Sequence, residues 1–157
     1  MPPQFSPVEG AQGFQQSNPS ILSTASLLGS LQVFKKAGMM EPLRARSLAL
    51  TNLLEKMLKE SPYFVPLENL ANNGSKPGFT IITPADSAQR GAQLSLLFVP
   101  IGTGLMQSVF AGLMQRGVIG DEREPDVIRL APAPLYNTQK DCENAVKALN
   151  ESFGSLA

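Results

Sequence analysis

The run Val127-Ile128-Arg129-Leu130-Ala131-Pro132-Ala133-Pro134-Leu135-Tyr136-Asn137 leaves the backbone few options. Val127–Leu130 is short, apolar and partly β-branched, and reads as a strand. Pro132 and Pro134 carry no N–H, so pairing must stop there and the chain must turn. Arg129 stands inside that strand. An unpaired guanidinium among apolar neighbours is costly, and Arg is the side chain best shaped to take a carboxylate through two parallel hydrogen bonds. The strand therefore presents one cation to something. One candidate is a ligand carboxylate; the other is a surface ion pair with Asp126 or Glu124, worth little to stability. The strand alone leaves both open. Tyr136 and Asn137 follow as a polar rim or as a helix lead-in.

The rest of the composition narrows the chemistry. Lys+Arg and Asp+Glu both number 13 in 157 residues. A zero net charge argues against nucleic acid as a partner, which calls for a clustered basic excess. No apolar run is long enough to span a bilayer, and Met1-Pro2-Pro3-Gln4-Phe5 lacks the pattern of a signal peptide. No membrane association and a cytoplasmic location are the expectations. There is no histidine, and Cys142 is the single cysteine. An intrachain disulfide and Ser-His or Cys-His catalysis are excluded, and no metal site is expected for want of ligands. Asp141 and Glu143 flank Cys142 and oppose thiolate formation, so a structural or surface thiol is the reading.

Asn18-Pro19 reads as a helix start, with Asn as cap and Pro in the first helical position. Ile21, Leu22, Ala25, Leu27, Leu28, Leu31, Val33 and Phe34 follow on more than one stripe, so this helix calls for burial on a broad front before Gly38 ends it. A second helix starts near Pro42 and stops before Pro62. Residues 61–78 read as a surface loop. Strands follow at Phe79–Thr83 and Ala92–Val99, then a helix through Leu105–Met114 with Gly117 as its far cap. Val118–Asp121 and Val127–Leu130 are two further strands, and Asp121-Glu122-Arg123-Glu124 is a charged turn between them. Thr138 caps the last helix with Asp141 three residues on. The expected fold is α+β: a small four-strand sheet, antiparallel or mixed, with helices on one face, preceded by a long connecting helix.

Other features are weaker. Gly10 to Asn18 could cradle a phosphate before a helix, but it lacks the lysine and spacing of a nucleotide loop and follows no strand. Ser17 and Asn18 would still serve as neutral hydrogen-bond donors to a ligand. Arg90-Gly91 reads as a turn with a solvated arginine. None of the seven lysines has surroundings that suggest a Schiff base.

Two distant stretches carry more together than apart. Gly13-Phe14-Gln15-Gln16-Ser17-Asn18-Pro19-Ser20, combined with Gly117-Val118-Ile119-Gly120-Asp121 and Ile128 through Asn137, resembles the C-terminal part of kynureninase. Ala25-Ser26-Leu27, Ile81-Ile82-Thr83-Pro84 and Arg90-Gly91-Ala92-Gln93-Leu94 agree with it, so the resemblance runs over nearly the whole chain. Kynureninases are pyridoxal-phosphate enzymes of the aspartate-aminotransferase fold that hydrolyse kynurenine or 3-hydroxykynurenine to anthranilate or 3-hydroxyanthranilate plus alanine. The resemblance implies that Arg129 holds the substrate α-carboxylate, while Asn18 and Ser17 line the pocket near the aromatic ring. It gives Tyr136 and Asn137 no defined role.

The same resemblance divides the chain into a remnant of a segment leading into the active site (1–18), connecting helices (19–60), a surface loop (61–78) and a small α+β domain (79–157). The family's Schiff-base lysine and its other pyridoxal 5'-phosphate ligands belong to a large domain upstream, and Met1 resembles an internal methionine of the family. No catalytic or cofactor-binding residue is therefore expected here, and the chain alone is expected to be inactive and not to bind the cofactor. Complementation by a chain bearing the cofactor, or a homodimer, would restore a partner. The alternatives are a non-catalytic domain that docks on a full-length relative through helix 19–37, or a desulfurase-like or aminotransferase-like relative. The Ser17-Asn18-Pro19 and Pro132–Asn137 pairing argues against the last.

Overall fold

The computed structural model describes Ser6 and residues 8–156. Met1–Phe5 and Pro7 of the expected 1–18 segment, the assignment of Met1 included, lie outside the described residues, as does Ala157. The chain divides into two compact units, Met1–Met40 and Glu41–Ala157.

The first unit carries a 3-10 turn at Ala11–Phe14 and helix α1, Ile21–Lys36. Its cap is Ser20, not Asn18. The Ser20 Oγ accepts the Ser23 N–H at 3.4 Å, and the Ser20 carbonyl accepts both the N–H and the hydroxyl of Thr24 at 3.0 Å. Ser20 stays extended and can serve these orphan donors, so the helix begins after it. At the far end Gly38 (φ 88°) and Met39 (φ 65°) turn left-handed, and the Met39 N–H returns to the Phe34 carbonyl at 2.9 Å. The apolar front of α1 is not buried as expected. Ile21, Leu22, Leu27, Leu28, Leu31 and Val33 are each more than half exposed.

In the second unit, helix α2 (Met40–Lys59) buries Leu43, Leu50, Leu54 and Leu58, a helical stripe. Pro42 falls in its first turn, where a missing N–H costs no hydrogen bond. Residues 61–78 are more ordered than a surface loop. The Phe79 N–H donates to the Tyr63 carbonyl at 2.9 Å and the Val65 N–H to the Phe79 carbonyl at 2.8 Å, and Leu67–Asn72 forms a 3-10 turn. Their three prolines hide this pairing from a periodicity reading, because only the short run before Pro66 takes part.

The sheet comprises β1 (Gly78–Ile81), β2 (Leu94–Val99), β3 (Asp121–Arg123) and β4 (Val127–Leu130), ordered β1-β2-β4-β3 with every neighbour antiparallel. Helix α3 (Leu105–Gln115) lies between β2 and β3, and α4 (Gln139–Gly154) closes the chain. The architecture is the expected α+β. β3 departs from expectation: Val118–Gly120 lie outside it and the charged Asp121–Arg123 pair instead. The reason is the end of α3. Gly117 adopts φ 77°, its N–H reaches Met114, and the Val118 N–H reaches Leu113 at 3.0 Å, so Val118 is used in a Schellman cap before the strand begins.

One face of the sheet makes the core. Phe79, Ile81, Leu94, Leu96, Phe98, Ile128 and Leu130 join the inner stripes of α2, α3 and α4 in a single cluster. Phe153 stacks on Phe98 with centroids 5.8 Å apart and on Tyr63 at 4.4 Å. Strand alternation sends the intervening residues to the other face. Leu97 and Val127 form one pair there, and Ser95 and Arg129 the next.

Candidate functional site

The register places three polar residues in one row across three strands. Ser95 on β2 is opposite Arg129 on β4, and Arg129 is opposite Asp121 on β3. The Arg129 side chain is 29% exposed, close enough to solvent for a ligand to reach. Its Nη2 donates to Asp121 Oδ2, so the ion-pair reading is realised, though with neither candidate named by sequence proximity. Asp126 is buried, and both its carboxylate oxygens accept the Gly102 N–H at 3.0 Å. Glu124 forms no ion pair with Arg129 among the described residues. Nearness along a strand misleads here, because side chains meet across the ladder rather than along it.

The ion pair leaves Arg129 incompletely satisfied. Its Nε is buried and has no hydrogen-bond partner among the described residues. A guanidinium carries five donors in a planar fork, so an acceptor is still wanted on this side chain. Around it the face is mixed, with the Leu97–Val127 pair on one side and a set of hydrogen-bonded polar groups on the other. Gln93 Nε2 donates to Ser95 Oγ at 3.2 Å, and the Ser95 N–H donates to Thr83 Oγ1 at 2.8 Å. Arg123 also reaches Asp121 Oδ2, at 3.0 Å. Two cations share one carboxylate, and the cluster keeps a positive excess.

Ser17 and Asn18 belong to the first unit, Arg129 to the second. Ser17 adopts φ 74° and its carbonyl accepts from Gln15 Nε2 at 3.0 Å. A left-handed backbone is uncommon for serine, and such positions gather at functional sites. Asn137 is structural: its Oδ1 accepts the Ala133 N–H at 2.8 Å and closes the turn after the prolines. Tyr136 is 75% exposed.

A cleft of about 250 Å³ is lined by Arg116, Val118, Ile119, Pro132, Asn137 and Cys142, among others. Its charged groups are committed. Arg116 donates to Glu151, the Gly112 carbonyl and Ser155, and Asp141 completes a capping box with Thr138. Burial, then the charges of Asp141 and Glu143, push the Cys142 thiol up. It is a packed thiol, not a nucleophile.

Sequence reading missed Arg90. It is buried rather than solvated, and pairs with Glu55 of α2 while donating to the Pro84 carbonyl and Asn52. The lysines do not fit a covalently held aldehyde cofactor. All seven are exposed; Lys59, Lys140 and Lys147 pair with carboxylates on their own helices, and Lys56 with Glu60 just past the end of its helix. A Schiff-base amine is instead desolvated or crowded by cations. Among the described residues no three His, Cys, Asp or Glu side chains converge on a metal position, and no helix is long and apolar enough to cross a membrane.

The fold and site thus define a small α+β domain that carries a partly exposed arginine on the sheet face opposite the core. A family model described as the kynureninase C-terminal domain matches residues 43–149. The chain is 54% identical to a kynureninase of Yarrowia lipolytica over 98% of its own length and 35% of the relative's. It is 50% identical to one of Eremothecium gossypii (98% and 34%) and 46% identical to one of Saccharomyces cerevisiae (97% and 34%). The chain belongs to the kynureninase family and spans about a third of the length of these curated relatives.

Proposed function

We propose that this chain supplies the carboxylate-binding part of a kynureninase-type site, the hydrolysis of kynurenine or 3-hydroxykynurenine being completed by residues it does not contain. The observation that carries this reading is Arg129: a partly exposed guanidinium, anchored on one side and unsatisfied at Nε. The substrate's α-carboxylate would be received by the solvent-facing part of this guanidinium. For the first unit taken by itself, the left-handed Ser17 with Asn18 beside it would contact an aromatic substrate, as the family resemblance implies. Pyridoxal 5'-phosphate, when bound, supplies an electron sink for cleavage beside a carbonyl. The surroundings of the lysines support its being held by another polypeptide segment. What this chain does is bind and orient the amino-acid end of the substrate.

Complementation tests the reading. The chain is mixed with the cofactor-bearing remainder of a fungal kynureninase, and L-kynurenine turnover is followed by anthranilate fluorescence. Turnover is expected from the mixture and not from this chain with pyridoxal phosphate alone. A stoichiometric, borohydride-fixed lysine adduct with turnover in the isolated chain would overturn it.

The exposed apolar residues of α1 favour a second reading, a non-catalytic module that docks through this helix on a cofactor-bearing chain or a second copy. Such a module would co-purify with a full-length kynureninase without changing its turnover.

A further inference from the structure

Arg129 is a long side chain on a short strand, and such a side chain grips a carboxylate efficiently only if its fork is already aimed. The ladder supplies the aiming group. Asp121 is directly opposite Arg129 in the β3–β4 register, and its Oδ2 takes Nη2 of that guanidinium. Among the described residues Nη2 alone is tied down this way, and Nε has no partner. One carboxylate on one Arg129 would cancel its charge. Here the same Oδ2 also receives Arg123 at 3.0 Å, so the three groups together keep one positive charge for an incoming anion.

We infer that Asp121 is a positioning residue for Arg129, holding its guanidinium in the orientation that receives the substrate carboxylate, with Arg123 keeping the cluster cationic. This rests on the carboxylate-binding reading of Arg129. Neither Asp121 nor Arg123 touches substrate in this account; each acts through Arg129.

The test uses the full chain, side-chain NMR of the arginine Nε–H groups, and two probes: L-kynurenine and kynuramine, which lacks the α-carboxylate. In the unsubstituted chain the Arg129 Nε–H should give a rigid-side-chain heteronuclear NOE and shift on addition of L-kynurenine. Asp121→Asn, nearly isosteric, should lower that NOE and weaken L-kynurenine about tenfold, leaving kynuramine unchanged. Arg123→Gln should keep the NOE high and weaken L-kynurenine about two- to threefold through lost charge. If the unsubstituted chain shows no Arg129 response to L-kynurenine, the carboxylate reading fails and this inference with it. If it responds and Asp121→Asn binds equally well, or weakens both probes alike, only the positioning role is overturned.

Discussion

Arg90, in the β1–β2 connection, forms an ion pair with Glu55 on α2 in which the two side chains are only 3% and 12% exposed. Nη1 also donates to the Pro84 carbonyl at 3.1 Å and Nη2 to Asn52 at 3.1 Å, so this guanidinium locks a connection onto a helix. Removing one partner of an enclosed pair strands the other charge. Arg90→Ala should therefore cost about 3–5 kcal/mol, read as a lower urea midpoint with an unchanged slope. A cost under about 1 kcal/mol would mean the pair is effectively solvated.

The same pair predicts an acid limit. The Arg90 hydrogen bond, more than the opposing desolvation, holds the Glu55 carboxyl below its ordinary 4.5. A carboxylate lowered in the folded state stabilises the fold above the unfolded value, and that stability is lost as pH falls through the lower folded value. Urea midpoints of the native chain and Glu55→Gln should differ by a constant amount above about pH 5.5 and converge progressively as the pH falls below the ordinary carboxylate value and through the lower folded one. A gap that is independent of pH down to full protonation would contradict this.

Helix α4 begins with a reciprocal capping box. Thr138 Oγ1 accepts the Asp141 N–H at 3.3 Å, and Asp141 Oδ2 accepts the Thr138 N–H at 2.7 Å. The Thr138→Ala substitution should destabilise by about 0.5–2 kcal/mol in chemical denaturation, with the sheet's amide spectrum unchanged. Thr138→Asn should recover most of that loss.

This cap was legible in the sequence, because Thr138 and Asp141 are three residues apart and need nothing from the rest of the fold. The element order and the Arg129 strand were legible for the same reason: periodicity and the Pro132/Pro134 stop are local signals. What escaped was long-range. Asp121 sits eight residues from Arg129 and becomes its partner only through the β3–β4 ladder. Arg90 and Glu55 lie 35 residues apart. The helix start slipped from Asn18 to Ser20 because several capping residues crowd Ser17–Ser20, and sequence does not say which one turns left-handed.

Close packing of α3 on α4 gives a further prediction. A Cβ on Gly112 would lie 2.5 Å from Ser152 Oγ and 2.8 Å from its Cβ. Gly112→Ala, ordinarily favourable inside a helix, should instead destabilise by about 1–3 kcal/mol through overpacking. Pairing it with Ser152→Gly should relieve most of that cost, as a double-mutant cycle by urea unfolding would show.

Kinetics of the complemented enzyme bear most directly on whether Arg129 grips the substrate carboxylate. Lysine keeps the charge but loses the two-pronged geometry. Arg129→Lys should lower kcat/KM for L-kynurenine by about 100-fold, close to 2.7 kcal/mol of transition-state binding, in a mixture whose unsubstituted form is active. An unchanged kcat/KM would contradict the carboxylate grip and leave Arg129 as the surface partner of Asp121 alone.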